Sequence, residues 1–106
     1  MRNVLAILLM AICTLSVAAE ETFQKDVIET SAGDLEITFI GHGSLMFTFE
    51  RKILHVDPFS RLADYSTLPK ADVIFITHHH RDHLDPVALA ELRTKNTVVI
   101  LTEKCA

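Results

Sequence analysis

Four of the chain's six histidines fall between positions 78 and 83, inside the stretch ITHHHRDHLD at 76–85. Alternate side chains of an extended segment point to the same side. His78, His80 and Asp82 therefore share one side, while His83 leaves in another direction directly after Asp82. The pattern offers two imidazoles to one cation and an Asp/His pair to a second nearby. Imidazole and carboxylate are the ligands of zinc, manganese or iron in hydrolytic sites. Two such ions about 3.5–4 Å apart can share a water, bring its pKa toward ~7 and aim it at an ester, amide or phosphodiester. The competing reading is a solvated polar loop that happens to be rich in imidazole. His79 falls on the opposite side of the loop, where packing or solvent is the expectation.

The flanking elements are those a metal loop requires. Residues 72–77, DVIFIT, carry a continuous apolar run, Val73 to Ile76. That pattern predicts a central strand covered on both faces. Ligands of helix-covered sheets bind outside the C-terminal ends of such strands. After the cluster, Asp85 is a natural N-cap and Pro86 suits the first helical position. Leu84 and Leu89 stand at the spacing of a hydrophobic staple, and Ala88, Leu89 and Leu92 form an apolar stripe. This predicts a helix ending near Arg93 or Lys95, then a buried strand over 97–101, hence a β-loop-α-β unit. Upstream, strands are expected at 26–30, 35–41, 45–50 and 53–57, with turns at SAGD (31–34), GHGS (41–44) and RK (51–52). Alternation in 35–41 puts Leu35, Ile37 and Phe39 on one face and Glu36, Thr38 and Ile40 on the other. The first half thus reads as an antiparallel meander, followed by a long loop at 58–71.

The chain has 106 residues, 49% of them hydrophobic, which suits one small domain. Residues 1–19 carry a basic start at Arg2, an apolar run from Val4 and small residues Val17-Ala18-Ala19. That is the layout of a cleavable secretory signal, and it implies a secreted or periplasmic protein. The run is short of the ~20 apolar residues of a membrane span, so no stable insertion is expected once it is removed. Its loss removes Arg2 alone among charged residues and moves the formal net charge from −4 to −5. A moderately acidic domain has no electrostatic reason to hold nucleic acid. Cys13 would leave with the signal, and Cys105 would remain without an internal partner.

His78-x-His80-x-Asp82-His83, after an apolar strand and before a capped helix, resembles the signature of the metallo-β-lactamase superfamily. VDPF (56–59), LPKADVIFITHHHRDHLD (68–85) and GHGS (41–44) agree. The pattern is most similar to the branch of ascorbate-6-phosphate lactonase-like proteins and N-acylphosphatidylethanolamine phospholipase D-like hydrolases, over residues 34–101. The resemblance implies an α/β (α+β) fold, the αββα sandwich, with this chain as its N-terminal half: a β-meander, then β-loop-α-β, over residues 20–106. It implies two zinc ions in the complete domain, with His78 and His80 on one and Asp82 and His83 on the other. It also implies further ligands downstream: a histidine, a bridging acid and a final histidine. None of these has a counterpart in the chain, so the half alone is expected to expose an apolar sheet face and not to hydrolyse substrate.

Other residues divide between site and scaffold. Asp57 could orient a ligand histidine or cap the turn before Pro58. His42, between two glycines, could reach the site or be a turn histidine. His55 is expected to be a satisfied core or surface residue. Arg81 could meet an anionic group of a small-molecule substrate, although loop arginines are usually solvated. Asp82 is expected to act both as ligand and as proton acceptor. The leading reading is therefore an exported metal-dependent hydrolase. Its rivals are a non-catalytic metal-binding fragment and a membrane-tethered protein that keeps its leader. Sequence beyond Ala106 separates the first rival, and a mature chain beginning at Glu20 excludes the second.

Overall fold

A computed structural model describes residues 20–106; the signal expected at 1–19 lies outside them. Six strands form one sheet in sequence order: β1 (Gln24–Thr30), β2 (Gly33–Gly41), β3 (Ser44–Phe49), β4 (Lys52–Val56), β5 (Val73–Phe75) and β6 (Val98–Ile100). β1 to β4 are an antiparallel meander, as the alternating pattern predicts. β4, β5 and β6 are parallel, with helix α1 (Pro86–Leu92) crossing between β5 and β6. Each hairpin turns on two residues. In the third these are Glu50 and Arg51, both at positive φ, as a type I′ turn demands; the connection sits one residue earlier than RK at 51–52.

The helix begins where its cap chemistry places it. The Asp85 carboxylate accepts from the Val87 amide at 3.0 Å, and Pro86 opens the helix. Arg93 is the C-cap. Ala88 and Leu92 are fully buried. They pack into one core with Ile40, Met46, Tyr65, Ile74 and Ile76. The loop between β4 and β5 covers the same face, with a 3-10 turn at Tyr65–Thr67.

Register sorts the sheet into two unlike faces. One row runs Thr38, Met46, His55, Ile74 across β2 to β5, and all four are buried. The adjacent row, Ile37, Phe47, Leu54, Val73, Val98, lies on the opposite face. It lines a cavity of about 480 Å³ that includes Phe47, Leu54 and Val73. Neighbouring Phe39, Phe75 and Ile100 are exposed. Two expectations are corrected by this. β5 is covered on one face rather than two: Ile74 is buried while Phe75 is exposed. β6 is an edge strand with Val98 and Ile100 exposed, not a buried one. On β2 the covered residues are Thr38 and Ile40, while Phe39 faces outward. Alternation separates two faces but does not say which one a helix will cover, and here both carry apolar residues.

The open face is the one the αββα resemblance leaves uncovered. A six-stranded sheet with one helical layer is half of such a sandwich, and mixed α/β describes it. Among the described residues no helix is long and apolar enough to cross a membrane.

Candidate metal centre

β4 and β5 run parallel, so their C-terminal ends emerge at one edge of the sheet. β3 runs antiparallel to β4, with Leu45 opposite Val56. The β2–β3 turn, His42-Gly43, therefore reaches the same edge. Three loops meet there: His42-Gly43, Asp57 after β4, and Thr77–His83 after β5.

Asp57 organises the junction. Its carboxylate is buried and accepts three hydrogen bonds: from the Thr77 amide at 2.7 Å, the Thr77 hydroxyl at 2.6 Å and His83 Nδ1 at 2.7 Å. A carboxylate of this kind can only accept, so the proton on His83 sits at Nδ1. In the neutral ring this leaves the Nε2 lone pair free. The same logic passes through Thr77. Its hydroxyl proton goes to Asp57, so its oxygen accepts from His78 Nδ1 at 2.8 Å. His78 too is left with a free Nε2. One carboxylate thus fixes the tautomers of two histidines whose rings lie 3.9 Å apart, centroid to centroid. Carboxylate-to-histidine bonds of this kind orient metal ligands and raise their basicity.

Asp82 is held from the other side. His42 Nε2 donates to Asp82 Oδ2 at 2.7 Å, and His83 Nε2 lies 3.4 Å from the same oxygen. The bond from His42 holds the Asp82 carboxyl below the usual carboxylate range, so it is ionised at neutral pH. Both partners that reach in do so from unusual backbone: His42 has φ 50° and Asp57 φ 43°. Non-glycine residues at positive φ are uncommon and concentrate at functional sites. Gly43 makes the approach feasible. A Cβ there would lie 2.8 Å from His83 Cε1, so any side chain would displace that ring.

His78, Asp82 and His83 are the donors left to hold a divalent cation, with Asp57 and His42 engaged in orienting them. Two overlapping trios each bring one ligand atom per residue within 4.8 Å of the others: His42, Asp82, His83 and Asp57, His78, His83. Of the residues expected from sequence, the structure unites His78, Asp82 and His83. His83 does not turn away from the cluster but stands between the two trios. His80 lies beside His78, ring centroids 4.6 Å apart, outside both trios. His79 is exposed and also outside them, as its side of the loop implied. His55 is a core residue: fully buried, Nε2 donating to the Pro69 carbonyl at 3.1 Å, its pKa lowered to about 4 by burial. Asp85 serves the scaffold. Burial works to raise its pKa, but bonds from Ser60 and the helix amides outweigh it and the net direction is downward. Sequence reasoning left Asp57 and His42 open between two roles and passed over Thr77 and Gly43. The paired glycines around His42 were the available signal; Thr77 had none.

A fold of this topology, with imidazoles and a carboxylate at the parallel strand ends, defines a class that sequence comparison identifies. The model of the β-lactamase superfamily domain matches residues 36–104, and the chain belongs to the metallo-β-lactamase superfamily. Relatives include a UPF0173 metal-dependent hydrolase of Methanosarcina mazei, 34% identical over 79 residues, covering 66% of this chain and 32% of that protein. A second, from Flavobacterium johnsoniae, is 40% identical over 73 residues, covering 63% of this chain and 31% of the relative. A crystal structure assigned as a metal-dependent hydrolase of Parabacteroides distasonis is 49% identical, with a TM-score of 0.77, covering 79% of this chain and 39% of that one. The chain spans about a third of the length of the curated relatives it matches.

Proposed function

We propose that this chain carries the first metal-binding loop of an exported metal-dependent hydrolase acting on a small-molecule ester, lactone or phosphodiester. The observation that carries the proposal is the Asp57–Thr77 relay, which leaves Nε2 of both His78 and His83 free, with His83 Nε2 3.4 Å from Oδ2 of an ionised Asp82. His78, His80, Asp82 and His83 would hold the cations, zinc in first place with manganese or iron as alternatives, two ions in a complete domain. When bound, such an ion supplies Lewis-acid activation of water near neutral pH. His42 keeps Asp82 oriented through Oδ2. Asp82 would serve both as ligand and as proton acceptor, with Oδ1 outside the contacts that His42 and His83 make to Oδ2. The relatives named metal-dependent hydrolases support the reaction class, and the lactonase-like and phospholipase D-like resemblance supports the bond types. A substrate with an anionic group suits the arginine on the loop. Export rests on residues 1–19 and is tested by the mass of the mature N-terminus.

The alternative is a metal-binding module without turnover, which the same donor groups would also serve. Elemental analysis of the zinc-loaded protein, with assays on nitrophenyl ester, lactone and bis-nitrophenyl phosphate, separates the two. Metal with turnover supports the hydrolase; metal without turnover supports the module. A protein that takes up no divalent cation contradicts both.

A further inference from the structure

Beside the cluster lies a second feature that metal ligation does not use. The loops after β4 and β5 and the start of α1 border an open cleft of about 690 Å³ lined by Phe59, Arg61, Arg81, Asp82, Leu84 and Pro86, among others. That volume is in the range of small-molecule sites. Asp82 brings the cleft up to the proposed metal centre, and Phe59, Leu84 and Pro86 give it apolar walls. Arg61 and Arg81 come from different loops and line the same space. Among the described residues, no carboxylate lies within ion-pair distance of either guanidinium. Asp85, the other acid on the wall, is already engaged by the Ser60 amide at 2.7 Å and hydroxyl at 2.6 Å and by the Val87 amide.

The geometry points to an oxyanion subsite in which Arg61 and Arg81 hold a phosphate or carboxylate group of the substrate, next to the end where Asp82 stands. The guanidinium fork matches both oxyanions bidentately. An overall acidic chain repels anions at long range, so two cations facing a cleft select an anionic group locally rather than by net charge. The apolar walls suit a short hydrocarbon portion between the oxyanion and the reacting bond. This assignment rests on the hydrolase reading for its reacting end, but binding of the oxyanion does not.

The test titrates chelator-treated protein with inorganic phosphate and, separately, with acetate, followed by amide chemical shifts, for the parent, Arg61→Gln, Arg81→Gln and the double variant. Both arginines are exposed, so the variants should melt with the parent. Saturable binding that weakens about tenfold in each single variant, as expected for loss of a charge-assisted pair, supports the subsite. The tighter of the two anions names the group. Equal affinity in parent and variants, or no saturable binding of either anion, overturns it. Zinc uptake by a separate portion of each protein, reloaded with zinc and dialysed, reads the other proposal independently. Parent protein that binds phosphate but no zinc counts against the hydrolase and leaves the subsite standing.

Discussion

Two histidines in this small protein are largely shielded from solvent, and their surroundings could hardly differ more. His55 sits in the sheet's covered row against Tyr65, with ring centroids 5.9 Å apart. Its Nε2 is bonded to a backbone carbonyl and its Nδ1 has no partner. His83 lies at the sheet edge, with Nδ1 bonded to a buried carboxylate and Nε2 beside Asp82. Burial alone makes a neutral histidine that fills space. A carboxylate on one nitrogen, with the other facing a second acid, makes one ready to bind a cation. The same strand pair, β4 and β5, supports both regions, and the change from one to the other takes only the residues from His55 to Asp57.

Replacing each histidine separates the regions most sharply. His83→Ala is expected to abolish metal uptake in elemental analysis while leaving the denaturant midpoint nearly unchanged. His55→Ala is expected to do the reverse, losing about 2–4 kcal/mol of unfolding free energy, as for other large-to-small core changes, with normal metal content in the folded protein. Asp57→Asn comes next: it keeps the shape but disturbs the relay, and metal affinity should fall about 10–100-fold in competition with a chelator. Gly43→Ala should weaken affinity less than that, because the His83 ring can tilt away from a methyl group. Unchanged affinity in Gly43→Ala would mean that the close approach of the turn to His83 does not matter.

A pH titration of stability sharpens the contrast further. His55 stays neutral in the fold down to about pH 4, while in the unfolded chain it takes a proton near 6.5. The unfolded state therefore binds more protons between those values, and stability falls as pH drops through that window. The full contribution is present above about 6.5. Denaturant unfolding of metal-free protein should lose on the order of a few kcal/mol between pH 7 and pH 4 at about 1.4 kcal/mol per pH unit. His55→Phe should remove most of that slope. The smallest effect belongs to His79→Ala, where metal content and stability should both match the parent; a loss of metal would place the exposed ring in the site after all.

What the sequence disclosed follows the same division. The meander, the β-loop-α-β unit and the Asp85-Pro86 helix start are local patterns, and each was legible. The histidine-rich loop was legible as a cluster because its residues are close in sequence. Asp57 and His42 reach His83 and Asp82 across 26 and 40 positions, through strand pairings that one sequence does not display, so their roles stayed open. The covered face of β2 was illegible for a different reason. Phe39 and Ile40 are equally apolar, and only the placement of α1 and the loop before β5 decides between them. The same placement leaves β5 covered on one side, although its composition suits cover on both.

The most direct test of the account is X-ray absorption on the zinc-loaded protein and on four variants with alanine at 78, 80, 82 or 83. The account predicts a nitrogen and oxygen shell at about 2.0–2.1 Å with imidazole scattering. It also predicts that the His78→Ala and His83→Ala proteins lose that signal. Parent-like spectra and zinc stoichiometry in all four variants would show that the cation, if bound, sits elsewhere, and would contradict a metal centre at these strand ends.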